Sequence, residues 1–240
     1  MSSPYIYSTR VSYSDIGPNL CLSLAGAMRM MQEAAIIHSD LSGYSVMDVD
    51  RTHVVWMLVQ WRVRLTGLVK WNEPVEVLTW PQTMEKLTSS RCFEIRSRSG
   101  EIVAKAESNW VLVNADTGRI IRIPPEVADA YDLIPDGVFD TEMPKLHQRV
   151  GDLVCRFTVR RQDIDTNHHV NNLVYLDYAR EALSDTLAEK EFQEVVVRYH
   201  RQLLLGDPVC CFYEKDEQGH LIQICGEDIR HVHCSVLFME

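Results

Sequence analysis

Two segments of the chain place apolar residues at the spacing of an amphipathic helix, and each follows a residue that favours a helix N-cap. The caps are Ser23 and Asn171, whose side-chain oxygens can accept a hydrogen bond from the first turn. Apolar residues three and four positions apart predict one buried helix face. The first such stripe is Leu24, Ala27, Met31, Ala34 and Ala35, and the second is Leu173, Leu176, Ala179, Leu183 and Leu187. The pattern therefore predicts two core helices.

Each predicted helix is followed by short runs rich in β-branched and aromatic residues, which predict strands. After the first helix these runs cover residues 53–64, 74–80, 90–97 and 102–114. After the second helix they cover residues 194–204, 207–214, 221–226 and 229–238. Because no helical pattern separates the strands within a set, we expect antiparallel sheets and an α+β fold that is built twice over.

A shift of the chain by 148 positions superimposes the two predicted helices and the turns before them. The shift matches Asp15-Ile16 with Asp163-Ile164, Asn19 with Asn167, Ser23 with Asn171, and Glu33-Ala34 with Glu181-Ala182. Self-similarity of this kind indicates a duplicated unit. The segment between the copies contains four prolines and no sustained alternation of apolar and polar residues. We therefore predict domains at residues 1–123 and 152–240, joined by a linker at 124–151.

The formal net charge of −10 argues against nucleic-acid binding, because a phosphate backbone is held by clustered Lys and Arg. The charge is uneven, since 11 Lys and Arg face 7 Asp and Glu between Arg51 and Arg122. An acidic partner could dock on this region. The simpler interpretation is that arginines at alternating strand positions form the solvated face of a sheet.

The cysteines and the N-terminal region indicate the cellular setting. Seven cysteines without a CxxC pair do not predict a disulfide framework, so we expect reduced and mostly buried thiols. The longest uncharged stretch near the start, residues 16–28, is too short to cross a bilayer, and no basic-then-apolar leader is visible. We expect a cytoplasmic protein that does not insert into membranes.

Polar and titratable side chains are concentrated in residues 163–172, just before the second predicted helix. Turn and cap preferences account for three of them: Asp163, Asn171 and Asn172. They account poorly for Asp165 and His169, which lie with Asn167 where a helix start presents unpaired N–H groups to a developing oxyanion. His168 is expected on the surface. No Cys or His spacing favours a metal ion, and no cofactor is expected.

The motif and several other residues resemble the acyl-acyl-carrier-protein thioesterase family. Residues 165–172 match its D-x-N-x-H-V-N-N motif. Further matching positions extend over nearly the whole chain: Gln32-Glu33-Ala34, Gly43, Trp56, Thr79-Trp80, Gly100 and Ser108-Asn109-Trp110-Val111. The resemblance implies a tandem (double) hot-dog fold, in which each long antiparallel sheet wraps around a central helix and paired units form sites at their junction. It also implies hydrolysis of fatty acyl-acyl carrier protein, which releases free fatty acid and terminates fatty-acid synthesis, with Asp165, Asn167 and His169 catalytic.

The chain departs from a second motif of that family, Y-R-R-E-C, which corresponds to residues 199–203. Gln202 replaces the acidic residue, and a leucine replaces the cysteine. A thiol nucleophile would have to be Cys210 or Cys211, which we expect to be buried. Otherwise Asp165 is either the nucleophile that forms a mixed anhydride or the base that activates water. Gln202 could position that water, and His169 would orient or polarise one participant.

The first copy lacks the catalytic groups, because the shift places Gly17 at the position of Asp165 and Cys21 at that of His169. We therefore predict that the N-terminal domain binds the acyl chain and sets its length. The candidate substrate-binding residues are Met28, Met31, Ala35 and Trp56. Core packing is nevertheless the commoner use of a methionine stripe.

Two alternative functions remain open beside the acyl-carrier-protein thioesterase. One is a thioesterase for acyl-coenzyme A, which would use the same chemistry. The other is a non-catalytic acyl-binding hot-dog protein, which Gln202 keeps under consideration. The expected partner is acyl carrier protein, and the chain is expected to be a monomer whose copies act as a pseudo-dimer, or a homodimer.

Overall fold

A helix packed against an antiparallel sheet is the plan of both halves of the computed structural model, which describes residues 3–147, 151–227 and 231–240. The chain divides into two units, Met1–Glu142 and Met143–Glu240. The division falls inside the proline-rich segment 124–151. The α+β prediction is confirmed, whereas the domain bounds at 123 and 152 and the roles given to each domain stay predictions.

The first unit combines one long helix with a sheet. Its strands are β1 (Tyr5–Arg10), β2 (Val54–Leu65), β3 (Pro74–Met84), β4 (Thr88–Ser97), β5 (Ile102–Asn114) and β6 (Ile120–Ile121). Its helices are α1 (Leu24–Leu41), α2 (Val49–Thr52) and α3 (Pro125–Ala128). The strands pair antiparallel in the order β1-β3-β4-β5-β2, with β6 beside β5. The bounds of β5 match the predicted strand 102–114.

Helix α1 begins after the predicted cap. The Ser23 hydroxyl oxygen accepts a hydrogen bond from the Gly26 amide at 3.0 Å, and the predicted apolar stripe is buried. Gly26 lies so close to the loop before the helix that a Cβ there would overlap the backbone oxygen of Asp15. Met28 and Met31 are fully buried in the core, and burial of each contributes about 1.5–3 kcal/mol to folding.

The second unit repeats the plan with a shorter helix. Its strands are β7 (Asp152–Thr158), β8 (Glu194–Tyr199), β9 (Pro208–Lys215), β10 (Gly219–Cys225) and β11 (Val232–Met239). They pair antiparallel in the order β8-β11-β10-β9-β7. The predicted single helix is divided into α4 (Val174–Glu181) and α5 (Asp185–Ala188). Residues 229 and 230 of the predicted strand 229–238 lie outside the described residues.

Helix α4 begins two residues later than the repeat predicts. Val174 occupies the position of Gly26, and a valine side chain prevents the same close approach to the backbone oxygen of Asp163. Asn171 instead forms a turn just before the helix, since its side-chain oxygen accepts from the Leu173 amide at 2.9 Å and its backbone oxygen from the Val174 amide at 3.0 Å. The N-cap position of α4 is Leu173, so both the predicted cap and the predicted start of this helix are wrong.

The predicted strand 194–204 ends early, at Tyr199. The amides of His200 and Arg201 both donate to the backbone oxygen of His233, at 2.8 and 3.1 Å. Because two successive amides share this one carbonyl oxygen, the regular hydrogen-bond ladder between β8 and β11 ends here and the chain leaves the sheet. Gln202 therefore lies in a loop rather than on a strand.

Two arginines of the first sheet contradict their interpretation as a solvated face. Arg62 and Arg91 are 3% and 6% exposed. Arg62 Nη1 donates to the Thr141 backbone oxygen at 3.1 Å and its guanidinium lies 4.1 Å from the centre of the Phe139 ring. This arginine thus fastens the segment after α3 to β2, and Arg91 belongs to the cavity described below.

The cysteines match their prediction. All seven are free thiols, of which Cys155 is half-buried and the others are buried. In the part of the chain that the structure describes, no helix is long and apolar enough to cross a membrane.

Candidate active site

The turn that contains the predicted catalytic residues has the same backbone in both units. In the second unit the Asp165 amide donates to the His169 oxygen at 2.9 Å, and the His168 amide donates to the Asp165 oxygen at 3.1 Å. The matching hydrogen bonds of the first unit, at 2.9 and 3.0 Å, join the residues that the repeat predicts: Gly17, Cys21 and Leu20. His168 and Leu20 both have left-handed backbones, with φ of 64° and 61°. The units therefore differ at this turn in side chains, not in backbone.

Asp163 anchors the turn of the second unit. It is 2% exposed, and its carboxylate accepts hydrogen bonds from the Tyr178 hydroxyl at 2.6 Å and the Arg160 amide at 2.8 Å. Its backbone oxygen accepts the Asn171 amide at 2.9 Å. Burial alone would raise the pKa of Asp163, but the hydrogen bonds from Arg160 and Tyr178 outweigh burial and lower it. Asp163 and Asn171 thus have the structural roles that were predicted for them.

Asp165 and His169 lie side by side on this turn. Asp165 Oδ1 accepts the Asn167 amide at 2.8 Å, while Oδ2 is 3.7 Å from His169 Nδ1. Both side chains retain solvent access, at 18% and 17% exposed. The nearest acceptor of His169 Nδ1 is the Val170 backbone oxygen at 3.3 Å.

Two backbone amides at the start of α4 are not free to act as the expected oxyanion donors. The amides of Leu173 and Val174 are both occupied by Asn171, at 2.9 and 3.0 Å. Neither amide can donate to a substrate oxygen without breaking its hydrogen bond to Asn171.

Asn167 and Gln202 present exposed side chains near this turn. The Val170 amide donates to the Leu203 oxygen at 2.9 Å, which joins the loop of Gln202 to the turn. The backbone oxygen of Gln202 accepts a hydrogen bond from His233 Nδ1 at 3.0 Å. Among the described residues, no hydrogen bond joins the amide side chains of Asn167 and Gln202 to Asp165. His168 is exposed, as predicted.

The cysteine alternative has no support in the geometry. Cys210 and Cys211 are 5% and 0% exposed on β9. A hydrogen bond to Cys155 and burial raise the pKa of Cys211, so this thiol stays protonated and is a poor nucleophile for a thioester. The expectation that both are buried is confirmed.

The first unit contains a cavity of about 80 Å³ between the second half of α1 and the sheet. Its lining is mainly apolar and comes from α1, the loop after it, and strands β2 to β5: Ala35, Ile36, Ser39, Tyr44, Ser45, Val46, Val55, Trp56, Met84, Ser89, Arg91 and Trp110. Two of the predicted substrate-binding residues, Ala35 and Trp56, lie in this lining. Met28 and Met31 do not; they pack in the core of the same unit.

A buried polar cluster borders this cavity, and the sequence pattern does not identify it. Arg91 Nη1 donates to His38 Nδ1 at 3.0 Å and to the Thr79 hydroxyl at 3.2 Å. Burial lowers the pKa of Arg91 to about 10, so the guanidinium stays charged at neutral pH. Burial and the charge of Arg91 lower the pKa of His38 to about 4, which leaves Nδ1 free to accept. The alternating pattern of β4 does not reveal this cluster, because an arginine at such a position can be either buried or solvated.

The described residues contain no group of three or more His, Cys, Asp or Glu arranged to hold a metal ion. The polar groups of the turn are a carboxylate, an imidazole and amides. This set can accept a proton, attack a carbonyl carbon and donate hydrogen bonds to an oxygen.

Solved structures with this architecture establish the class of fold. An acyl-ACP thioesterase from Bacteroides thetaiotaomicron superposes with a TM-score of 0.84 at 19% identity, covering 98% of this chain and 97% of that one. A 12:0-ACP thioesterase from Umbellularia californica gives a TM-score of 0.81 at 22% identity, covering 97% and 95%. The tandem hot-dog prediction is confirmed.

The family models define the class more closely. The acyl-ACP thioesterase N-terminal domain matches residues 4–131, and the acyl-ACP thioesterase C-terminal domain matches residues 147–235. The chain therefore belongs to the acyl-ACP thioesterase family. It is 25% identical over 214 residues to oleoyl-acyl carrier protein thioesterase 2, chloroplastic, of Arabidopsis thaliana, covering 81% of this chain and 58% of the relative. It is 29% identical over 205 residues to a chloroplastic palmitoyl-acyl carrier protein thioesterase of Cuphea hookeriana, covering 78% and 49%. The chain thus spans about half the length of the curated relatives that it matches.

Proposed function

We propose that the protein hydrolyses the thioester of fatty acyl-acyl carrier protein and releases free fatty acid, with catalysis in the second unit. The observation that carries the proposal is the pair Asp165 and His169 on a turn whose backbone is duplicated in the first unit. The duplicate has Gly17 and Cys21 in their places. A backbone that is kept in both copies while its reactive side chains occur in one indicates a specialised chemical role for that copy.

Asp165 is the reactive carboxylate in this proposal. Its Oδ1 is fixed by the Asn167 amide, so Oδ2 is the oxygen that attacks the thioester carbonyl or takes a proton from water. His169 polarises the carbonyl or the water, and Asn167 and Gln202 supply amide hydrogen bonds. A thiolate is a good leaving group, so its departure needs little assistance.

The first unit binds the acyl chain in its cavity in this proposal. The lining of Ala35, Val55 and Trp56 is apolar, which suits contact with the methylene groups of an acyl chain. Met28 and Met31 pack in the core of this unit and do not line the cavity. Acyl carrier protein is the proposed partner, and the cytoplasmic location and oligomeric state stay predictions.

Release of thiol from matched acyl-acyl carrier protein and acyl-coenzyme A substrates tests this function. Carrier-protein substrates that are hydrolysed with the higher kcat/KM support the proposal. Preference for coenzyme A would favour the acyl-CoA alternative. No release from either carrier, together with saturable binding of a fatty acid, would favour a non-catalytic acyl-binding protein.

Hydroxylamine trapping separates the two roles of Asp165. A nucleophilic carboxylate forms a mixed anhydride, which hydroxylamine converts to a hydroxamate of the acyl group or of the enzyme. A general base forms no such adduct during turnover. Mass spectrometry of the peptide that contains Asp165, after rapid mixing with substrate and hydroxylamine, distinguishes the two mechanisms.

A further inference from the structure

Two pairs of cysteines face each other across strands of the second unit. Cys155 on β7 is paired in register with Cys211 on β9, and Cys210 on β9 is paired with Cys225 on β10. Because successive residues of a strand point to opposite faces, the two pairs lie on opposite faces of this sheet. Residues directly opposite each other have Cα atoms about 4.5–5.5 Å apart, which is within the span of a disulfide.

The pair of Cys155 and Cys211 combines access with reactivity. Cys155 lies half-buried on β7, which ends the strand order of this unit, whereas Cys211 is 0% exposed. A side-chain hydrogen bond from the Cys211 thiol lowers the pKa of Cys155, and the same contact with burial raises the pKa of Cys211. An accessible thiol with a lowered pKa therefore lies opposite a buried thiol with a raised pKa.

The second pair is an internal contrast. Cys210 and Cys225 are both buried in a cluster with Phe212 and Val232. Burial raises the pKa of Cys225 to about 11, so its reactive thiolate is scarce at neutral pH. Proximity is shared by both pairs, but access and thiolate character belong to the first.

We propose that Cys155 and Cys211 form an oxidation site for peroxides, at which the two thiols become an intramolecular disulfide. The Cys155 thiolate attacks one peroxide oxygen, the O–O bond breaks, and the departing hydroxide takes a proton to leave as water. The sulfur of Cys211 then displaces the hydroxyl of the resulting sulfenic acid, and its own proton leaves with that hydroxyl as a second water. The sulfurs are oxidised by two electrons, and one peroxide is reduced.

The site lies directly behind the helix that supports the candidate active site. Cys211 Sγ is 3.7 Å from the backbone oxygen of Tyr178 in α4, and the Tyr178 hydroxyl binds Asp163. The disulfide would tie the edge strand β7 to β9, which contacts this helix through Cys211. The oxidation chemistry itself does not depend on the proposed thioesterase activity.

Treatment of the full chain with a small excess of hydrogen peroxide tests the site. Free thiols are then alkylated under denaturing conditions and the peptides are mapped by mass spectrometry. The wild type is expected to lose two alkylatable thiols and to yield a peptide cross-linked between Cys155 and Cys211, which dithiothreitol reverses. Cys225→Ser is expected to behave like the wild type, whereas Cys155→Ser forms no disulfide.

Two outcomes would overturn the proposal. One is full alkylation of both Cys155 and Cys211 in the wild type after peroxide. The other is loss of two thiols at the same rate in Cys155→Ser, which would place the oxidation at another pair. Far-ultraviolet circular dichroism of each variant before treatment verifies that the comparison is made between folded proteins.

Discussion

Ala35→Leu is expected to shorten the range of acyl chains that the protein hydrolyses. Ala35 lines the cavity from helix α1, so carbons added to its side chain extend into the cavity rather than into packed core. Leucine adds three carbons, which we expect to displace two to three methylene groups of a bound chain. Each displaced methylene forfeits about 0.8 kcal/mol of burial, or roughly 1.6–2.4 kcal/mol in total.

That free energy corresponds to a loss of about 15-fold to 60-fold in kcat/KM for chains that fill the cavity. Shorter chains should be hydrolysed as by the wild type. The assay is kcat/KM over a series of saturated acyl-acyl carrier proteins of increasing length, and the matched control is Met31→Leu. Met31 is buried but does not line the cavity, so this volume-conserving change should leave the profile unchanged. An equal loss at every acyl-chain length, or the same shift in Met31→Leu, would refute the proposal that the acyl chain binds in this cavity.

Three further predictions concern stability and chemistry. Tyr178→Phe removes the 2.6 Å hydrogen bond to the buried Asp163 carboxylate and should lower the free energy of unfolding by about 1.5–3 kcal/mol at neutral pH. The deficit should shrink in acid. A carboxylate whose pKa is lowered by folding stabilises the fold while it is ionised, and this stabilisation is lost as the pH falls through the folded-state pKa of Asp163. Urea titrations at several pH values measure both effects, and a deficit that does not change with pH would contradict this account. The pKa of His38 is about 4 in the fold and about 6.5 in the unfolded chain. Because the unfolded chain binds a proton that the folded ring does not, the free energy of unfolding should decrease as the pH falls from about 6.5 towards 4. The loss is on the order of 2 kcal/mol after a discount for the partly solvated ring, and His38→Gln should remove this slope; an unchanged slope would exclude His38 as its source. His169→Gln should lower kcat at least tenfold with little change in melting temperature, and wild-type turnover would remove His169 from the mechanism.

Elements set by local pattern could be predicted from the sequence. Residues 102–114 combine alternation with clear turn signals at both ends, and β5 has these bounds. The duplicated turn could also be placed, because the 148-residue shift preserves the residues that fix its backbone. Asp165, Asn167 and His169 could therefore be assigned to one turn from the sequence.

Features that depend on contacts distant in sequence could not be predicted. The end of β8 is set by two amides that share the His233 oxygen, more than thirty residues away, so Gln202 was wrongly placed on a strand. The start of each helix depends on the room beside the aspartate of the preceding turn: Gly26 leaves room for Asp15 in the first unit, whereas Val174 occupies the equivalent position in the second. Charge alone also fails to distinguish Arg91, whose partners lie on other elements.

Hydrolysis of acyl-acyl carrier protein by Asp165→Asn is the most direct test of the central claim. The change keeps the shape of the side chain and an oxygen that can accept the Asn167 amide, but it removes the negative charge. His168→Asn, on the exposed left-handed position of the same turn, is the matched control. The account predicts that Asp165→Asn lowers kcat by roughly 100-fold or more, while His168→Asn retains turnover. Turnover by Asp165→Asn within a few-fold of the wild type would contradict the claim that this carboxylate carries the reaction.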